Sequence, residues 1–198
     1  MKKKGLNVSR SKKAMYESFF KLIKNKDFSE ISVQDIIDDC EYSRSCFYNN
    51  FEDKYNMLNI LVQDEAKAFI DCCRNSLFEA QKNNSKKELY FKIGLSIFEL
   101  VYAEKNFYEA LILGKIPGHS KESLFKLVND HFINIASYPV AKKYPNVNIE
   151  LYVSVLTAII SPYIEFWVKE NFKHPPEYME EQLMIFLSAA SETDFVDV

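Results

Sequence analysis

Glycine is nearly missing from this chain, with 4 among 198 residues, about 2% where ~7% is usual. Dinucleotide-binding fingerprints, Walker loops and tight-turned β-sandwiches need glycine where the backbone turns left-handed or approaches a phosphate, so all three are disfavoured. Cysteine is equally uninformative of a framework. Cys40, Cys46, Cys72 and Cys73 form no CxxC pair, which argues against a zinc knuckle or a disulfide scaffold and fits free thiols in a reducing, cytoplasmic setting. His119, His131 and His174 have no partner at metal-ligand spacing, and no HExxH or GxSxG pattern occurs. No metal, cofactor or enzymatic activity is therefore expected. No apolar run follows Lys2, Lys3 and Lys4 to make a secretory signal. The longest uncharged apolar stretch, Leu151 to Ile164, contains Pro162 and is shorter than the ~20 residues of a spanning helix, so no membrane partner is expected.

What the chain has is apolar mass, 47% of its residues, enough for a sizeable core. The apolar positions recur at helical spacing, and strand-like alternation is almost absent. Helical punctuation predicts an all-α fold of nine helices. The first runs from about Arg10 to Lys26, with Met15, Phe19, Leu22 and Ile23 on one face. Ser32 and Asp35 form a capping box for a short second helix ending near Cys40. Ser43 caps a short third ending near Asn50, and Asp53 caps a long fourth to about Lys82. A second capping box, Ser85 with Glu88, opens a helix to about Lys105. Another follows from Asn106 to Leu113, and the next, from Ser120, is expected to be interrupted at Pro139. The last two run from Asn148 to about Phe172 and from Pro176 to about Ala190. The short helices precede residue 53 and the long ones follow, which suggests units at 1–53 and 54–198.

Net charge is −3, but its distribution is lopsided. Residues 1–26 carry nine basic groups and one acid, for +8, and the remainder −11. A basic arm on an acidic body suggests polyanion contact at one end. Beside it, three short helices, the last two joined by a tight turn, fit a helix-turn-helix reader of double-stranded DNA. The third helix offers Ser43, Arg44, Ser45, Tyr48, Asn49 and Asn50, groups that bond phosphates and base edges. Phe47 and Phe51, at i and i+4, can anchor its other side to Phe19, Ile36 and Ile37. Lys54 stands in the first turn of a helix, where the macrodipole opposes it; a phosphate partner would explain that placement.

Residues 10–58 resemble the N-terminal region of the TetR/AcrR family of transcriptional regulators. The resemblance rests on Ser32-Val33 with Ile36, then Ser43-Arg44, Phe47-Tyr48, Phe51, Lys54 and Leu58. It implies phosphate contacts by Tyr48 and Lys54, a capping role for Ser32 near the DNA backbone, and Ser43 to Asn50 facing the groove. Two positions depart from the family pattern. Glu41 stands where the turn usually has a glycine-like residue, and Cys46 replaces a small residue or threonine. Asp35, Asp38, Asp39 and Glu41 also make the second helix acidic. A helical module acting through a protein or small-molecule partner, with weak DNA affinity, is therefore the alternative function.

The stretch from Ala158 to Leu187 resembles, less specifically, the C-terminal region of Gram-positive regulators of dihydroxyacetone kinase operons. The helix from Asn148 is apolar on two sides, one stripe holding Val153, Leu156, Ile160, Ile164 and Trp167 and the next Ile149, Tyr152, Val155, Ile159 and Tyr163. Such a helix needs cover on both sides, which a homodimer supplies. Tyr152, Leu156, Ile160, Tyr163, Trp167, Leu183 and Phe186 are the candidates for that face. The resemblance also implies an effector cavity between the long helices, for a small, largely apolar molecule that alters operator affinity, most simply that of a repressor. Phe69, Cys73, Phe98, Phe107, Phe125 and Phe132 are its candidate walls.

Overall fold

A computed structural model describes residues 10–80 and 86–192. Among these, every regular element is a helix: α1 (Arg10–Leu22), α2 (Val33–Cys40), α3 (Arg44–Tyr48), α4 (Lys54–Ala80), α5 (Lys86–Ala103), α6 (Lys105–Ile112), α7 (His119–Lys143), α8 (Ile149–Lys169) and α9 (Pro176–Glu192). The all-α expectation holds, with nine helices among the described residues. The lysine arm at Lys2–Lys4 and Ser85 of the second capping box lie outside them.

Local chemistry sets the boundaries of the short helices. The Ser32 hydroxyl accepts from the Asp35 N–H at 3.1 Å, and the Asp35 carboxylate accepts from the Ser32 N–H at 2.8 Å. Two of the orphan donors at the start of α2 are thereby satisfied. Glu41 ends α2 in the left-handed region, at φ 57° and ψ 30°. The Ser43 hydroxyl then accepts from the Cys46 N–H and starts α3. In α7 the expected interruption is absent, since the helix continues past residue 139 to Lys143. Proline withdraws one backbone donor, and a helix packed on both α4 and α8 tolerates that single loss.

Lys54 is held from within the molecule. Its ammonium donates to the carbonyls of Phe28, Ser29 and Ile31 at 2.8, 2.9 and 2.7 Å, which engages all three of its donors. The same nitrogen lies 4.9 Å from the centre of the Phe28 ring. The lysine sits at a helix N-terminus because three carbonyl oxygens from the α1–α2 connection compensate its charge there. It ties that connection to α4.

One continuous core runs through the molecule. In the first half of α4, Met57, Leu58, Leu61 and Val62 join Phe19, Ile36, Phe47 and Phe51 in it. Its second half packs against α5 and α7. At the far side Trp167 is fully buried, stacked on Tyr102 and edge-on to Phe98. Its indole N–H donates to the His174 carbonyl at 2.8 Å. Asn171 and Phe172, both at φ 53°, turn the chain there into α9. Among the described residues, α8 is the one helix long and apolar enough to cross a membrane. It packs on α6, α7 and α9, and Lys121 of α7 pairs with its Glu165.

Two substitutions test this account. Glu41→Gly relieves roughly 1–2 kcal/mol of left-handed strain, offset by about 0.4–1 kcal/mol of added freedom in the unfolded chain, so its urea midpoint should rise. Lys54→Ala should lower the unfolding free energy by about 1–3 kcal/mol, the scale of charge-assisted hydrogen bonds, and the midpoint with it. An unchanged midpoint for Lys54→Ala would show that the three carbonyl bonds do not hold the connection.

Candidate nucleic-acid interface and internal cavity

The exposed side of α3 carries small polar and cationic groups on an aromatic base. Phe47 and Phe51 are buried, their ring centres 5.3 Å apart, and the Tyr16 ring lies 5.8 Å from that of Phe51. Above them Ser43, Arg44, Ser45, Tyr48 and Asn49 are exposed, Tyr48 by 57%. The Arg44 Nε donates to the Gln34 side-chain oxygen at 2.8 Å, so α2 holds the guanidinium by one edge. Asn50 is half-buried, and its amide donates to the Cys46 carbonyl at 2.7 Å. It secures the end of α3 rather than offering itself to a groove. The Ser32 side chain belongs to the capping box, as its spacing predicted. Of the residues expected to meet DNA, the structure groups Ser43, Arg44, Ser45, Tyr48 and Asn49 on one exposed surface. It assigns Ser32, Asn50 and Lys54 to internal bonds.

The acids of α2 are largely answered from within. Lys21 pairs with Asp39, and Lys26 with Asp35 at 2.9 Å. The Ser32 hydroxyl and N–H, then Lys26, hold the Asp35 carboxyl below the ordinary carboxylate range. The Lys21 bond does the same for Asp39. Two negative charges that would repel a phosphate backbone thus each have a lysine beside them.

Between α4 and the later helices lies a cavity of about 290 Å³. Phe69 and Cys73 of α4 and Phe125 and Phe132 of α7 line it. Phe98 and Phe107, also expected there, are core residues that turn away from it. Phe98 packs on Trp167 and Phe107 on Tyr108, because α5 presents Ile93, Gly94 and Ile97 to the cavity and Phe98 falls about 100° further round. The cysteines there are quiet: burial pushes the Cys73 thiol up, and the Cys72 thiol donates to the Ser96 carbonyl.

The two stripes of α8 have different surroundings. Val153, Ile164 and Trp167 are buried, whereas Leu151 and Val155 are 63% and 51% exposed. Phe166, and Ile185 and Phe186 on α9, extend this exposed apolar surface. Of the side chains expected at a subunit face, Tyr152, Leu156 and Phe186 are exposed and Ile160 and Tyr163 half-buried. Trp167 and Leu183 are in the subunit's own core and out of a partner's reach. Ile160 and Leu183 also line the cavity.

Helical spacing alone also marked two carboxylates that composition arguments overlooked. Glu65 interrupts the apolar run Leu58, Val62, Phe69, Cys73 on α4, and it is fully buried with neither carboxylate oxygen bonded. Glu180 on α9 is buried, and one of its oxygens likewise has no partner.

Comparison with known proteins places this arrangement. A family model of a transcriptional regulator C-terminal region, of the TetR type, matches residues 88–189, just over half the chain. An uncharacterised HTH-type transcriptional regulator of Bacillus subtilis (strain 168), YxbF, is 22% identical over 91% of this chain. The chain spans 45% of that relative's length. A candidate TetR-family transcriptional regulator from Syntrophomonas wolfei superposes with a TM-score of 0.74 at 18% identity, covering 95% of this chain and 98% of the other. The fatty acid degradation regulator FadR from Bacillus halodurans does so at 0.71 and 12% identity, covering 91% and 96%. With the C-terminal region matched directly and nine helices among the described residues, the chain belongs to the TetR family of transcriptional regulators.

Proposed function

We propose that this protein is a cytoplasmic, homodimeric, sequence-specific DNA-binding repressor whose operator affinity changes when a small, largely apolar molecule fills its cavity. Residues 1–53 are assigned to DNA reading and 54–198 to effector binding and dimerisation. The observation that carries the proposal is the exposed α3 surface of Ser43, Arg44, Ser45, Tyr48 and Asn49, standing on buried Phe47 and Phe51 in a family of transcriptional regulators. Arg44, held at one edge by Gln34, suits bidentate contact with a guanine edge, and Tyr48 suits a phosphate.

The exposed apolar surface of α8 and α9 supports a second copy of the chain as its cover. Two α3 helices on a symmetric dimer read successive major grooves when ~34–36 Å apart. α4, 27 residues long and therefore ~40 Å, begins beside α3 and borders the cavity with Phe69 and Cys73. A molecule wedged against it can alter the spacing. A coupling of ~1–3 kcal/mol changes affinity by about 5–150-fold. The name of the FadR neighbour is compatible with an apolar ligand in such a fold.

Mobility shifts against the DNA upstream of the protein's own gene test the reading. Arg44→Ala should cost about 1–3 kcal/mol and relax base preference, with Tyr48→Phe weakening all sequences alike. No shift at low salt would favour the module acting through another partner. In light scattering at micromolar concentration, the wild type should be a dimer and Val155→Asp/Phe186→Asp a monomer. A monomeric wild type would overturn the dimer.

A further inference from the structure

The cavity is lined almost entirely by apolar side chains, with Tyr108, Thr157 and Ser161 as its hydroxyl-bearing residues, and two buried carboxyl groups lie just outside that lining. No described Lys or Arg lines the cavity. Glu65 sits one helical turn before Phe69, on the same face of α4, fully buried and unbonded. The hydroxyl of Tyr108, a cavity-lining residue on α6, is also buried without a partner. Glu180 stands behind Gly94: a Cβ on that glycine, which lines the cavity, would lie 3.4 Å from the Glu180 Cγ and 3.9 Å from its Oε1. Unpaired buried carboxyl groups are costly and uncommon in folded proteins. Two of them on helices that border one apolar space, with an unbonded hydroxyl on a lining residue, leave that space without a counter-charge.

We propose that the cavity takes an amphipathic amine, its apolar part against Phe69, Phe125 and Phe132 and its ammonium group drawn past the Tyr108 hydroxyl to the Glu65 carboxylate. This rests on the effector-binding reading above and names the chemical class of the effector. Burial, and then the negative charges of Glu104 and Asp64, push the Glu65 carboxyl well up. Tyr108 is pushed up in the same way, by burial and then by Glu65. The volume limits the body: at the ~30 Å³ that each water molecule occupies in the liquid, the space holds roughly ten non-hydrogen atoms. The head-group end also adjoins the DNA-reading part of the chain, because Asp64 next door accepts from the Tyr16 hydroxyl of α1 at 3.3 Å.

Titration calorimetry of the full chain with octylammonium, 1-octanol and octanoate decides the matter. Octylammonium should bind at least tenfold more tightly than octanol, and octanoate most weakly. Glu65→Gln should remove that preference by lowering octylammonium affinity at least tenfold, while octanol stays within about twofold. Octanol or octanoate binding as tightly as octylammonium, or a Glu65→Gln protein with unchanged affinities, overturns the amine assignment and leaves the effector cavity standing. If none of the three binds, the cavity reading falls and the amine with it. Should Glu65→Gln fail to fold, the ranking of the three probes on the wild type decides alone.

Discussion

Three carbonyl oxygens converging on the Lys54 ammonium fix the relation between the two ends of this molecule. Phe28, Ser29 and Ile31 belong to the connection that carries the chain from α1 to α2. Lys54 opens the 27-residue helix that passes through the rest of the core. Without that tie the α1–α2 connection would be held to α4 by side-chain packing alone, and any tilt of α4 would be partly absorbed there. With it, the capping box at Ser32, the left-handed turn at Glu41 and the placement of α3 are all referred to one rigid axis. A hydrogen-bonded ammonium with every donor engaged also has little freedom to rearrange, so α4 and its connection move together.

The same economy of charge recurs on α2. Asp35, Asp38, Asp39 and the following Glu41 look hostile to a polyanion when read as composition, yet Asp35 and Asp39 have lysines against them. The basic residues of α1 and its C-terminal turn thereby serve α2 as well as the solvent. The net charge of a segment is therefore a poor guide to the field above it when its partners come from a neighbouring helix.

Local rules made most of the fold legible. Ser32 with Asp35, Ser43 and Asn148 cap the helices that their spacing predicted, because a cap depends on residues three positions apart and little else. The polar face of α3 was legible for the same reason. The misses are tertiary. The three partners of Lys54 lie more than twenty residues away, out of reach of any local pattern. Helix α7 passes residue 139 because its packing outweighs one lost donor. Phe98 and Trp167 point into the core beside the cavity, a matter of rotation about a helix axis that apolar residues on adjacent stripes leave undecided. Glu65 was the missed signal that sequence did contain, a carboxylate at an apolar position of a regular stripe.

Trp167 is the chain's single tryptophan, so every photon of indole emission comes from one address. The ring is sealed from water, stacked on Tyr102 and bonded through its nitrogen to the chain that turns into α9. One turn earlier on the same helix, Ile164 forms part of the cavity wall. The fold thus carries its own optical gauge at the junction of α5, α8 and α9. Its emission is that of an apolar site, and any shift of α8 against α5 is registered there without an added label.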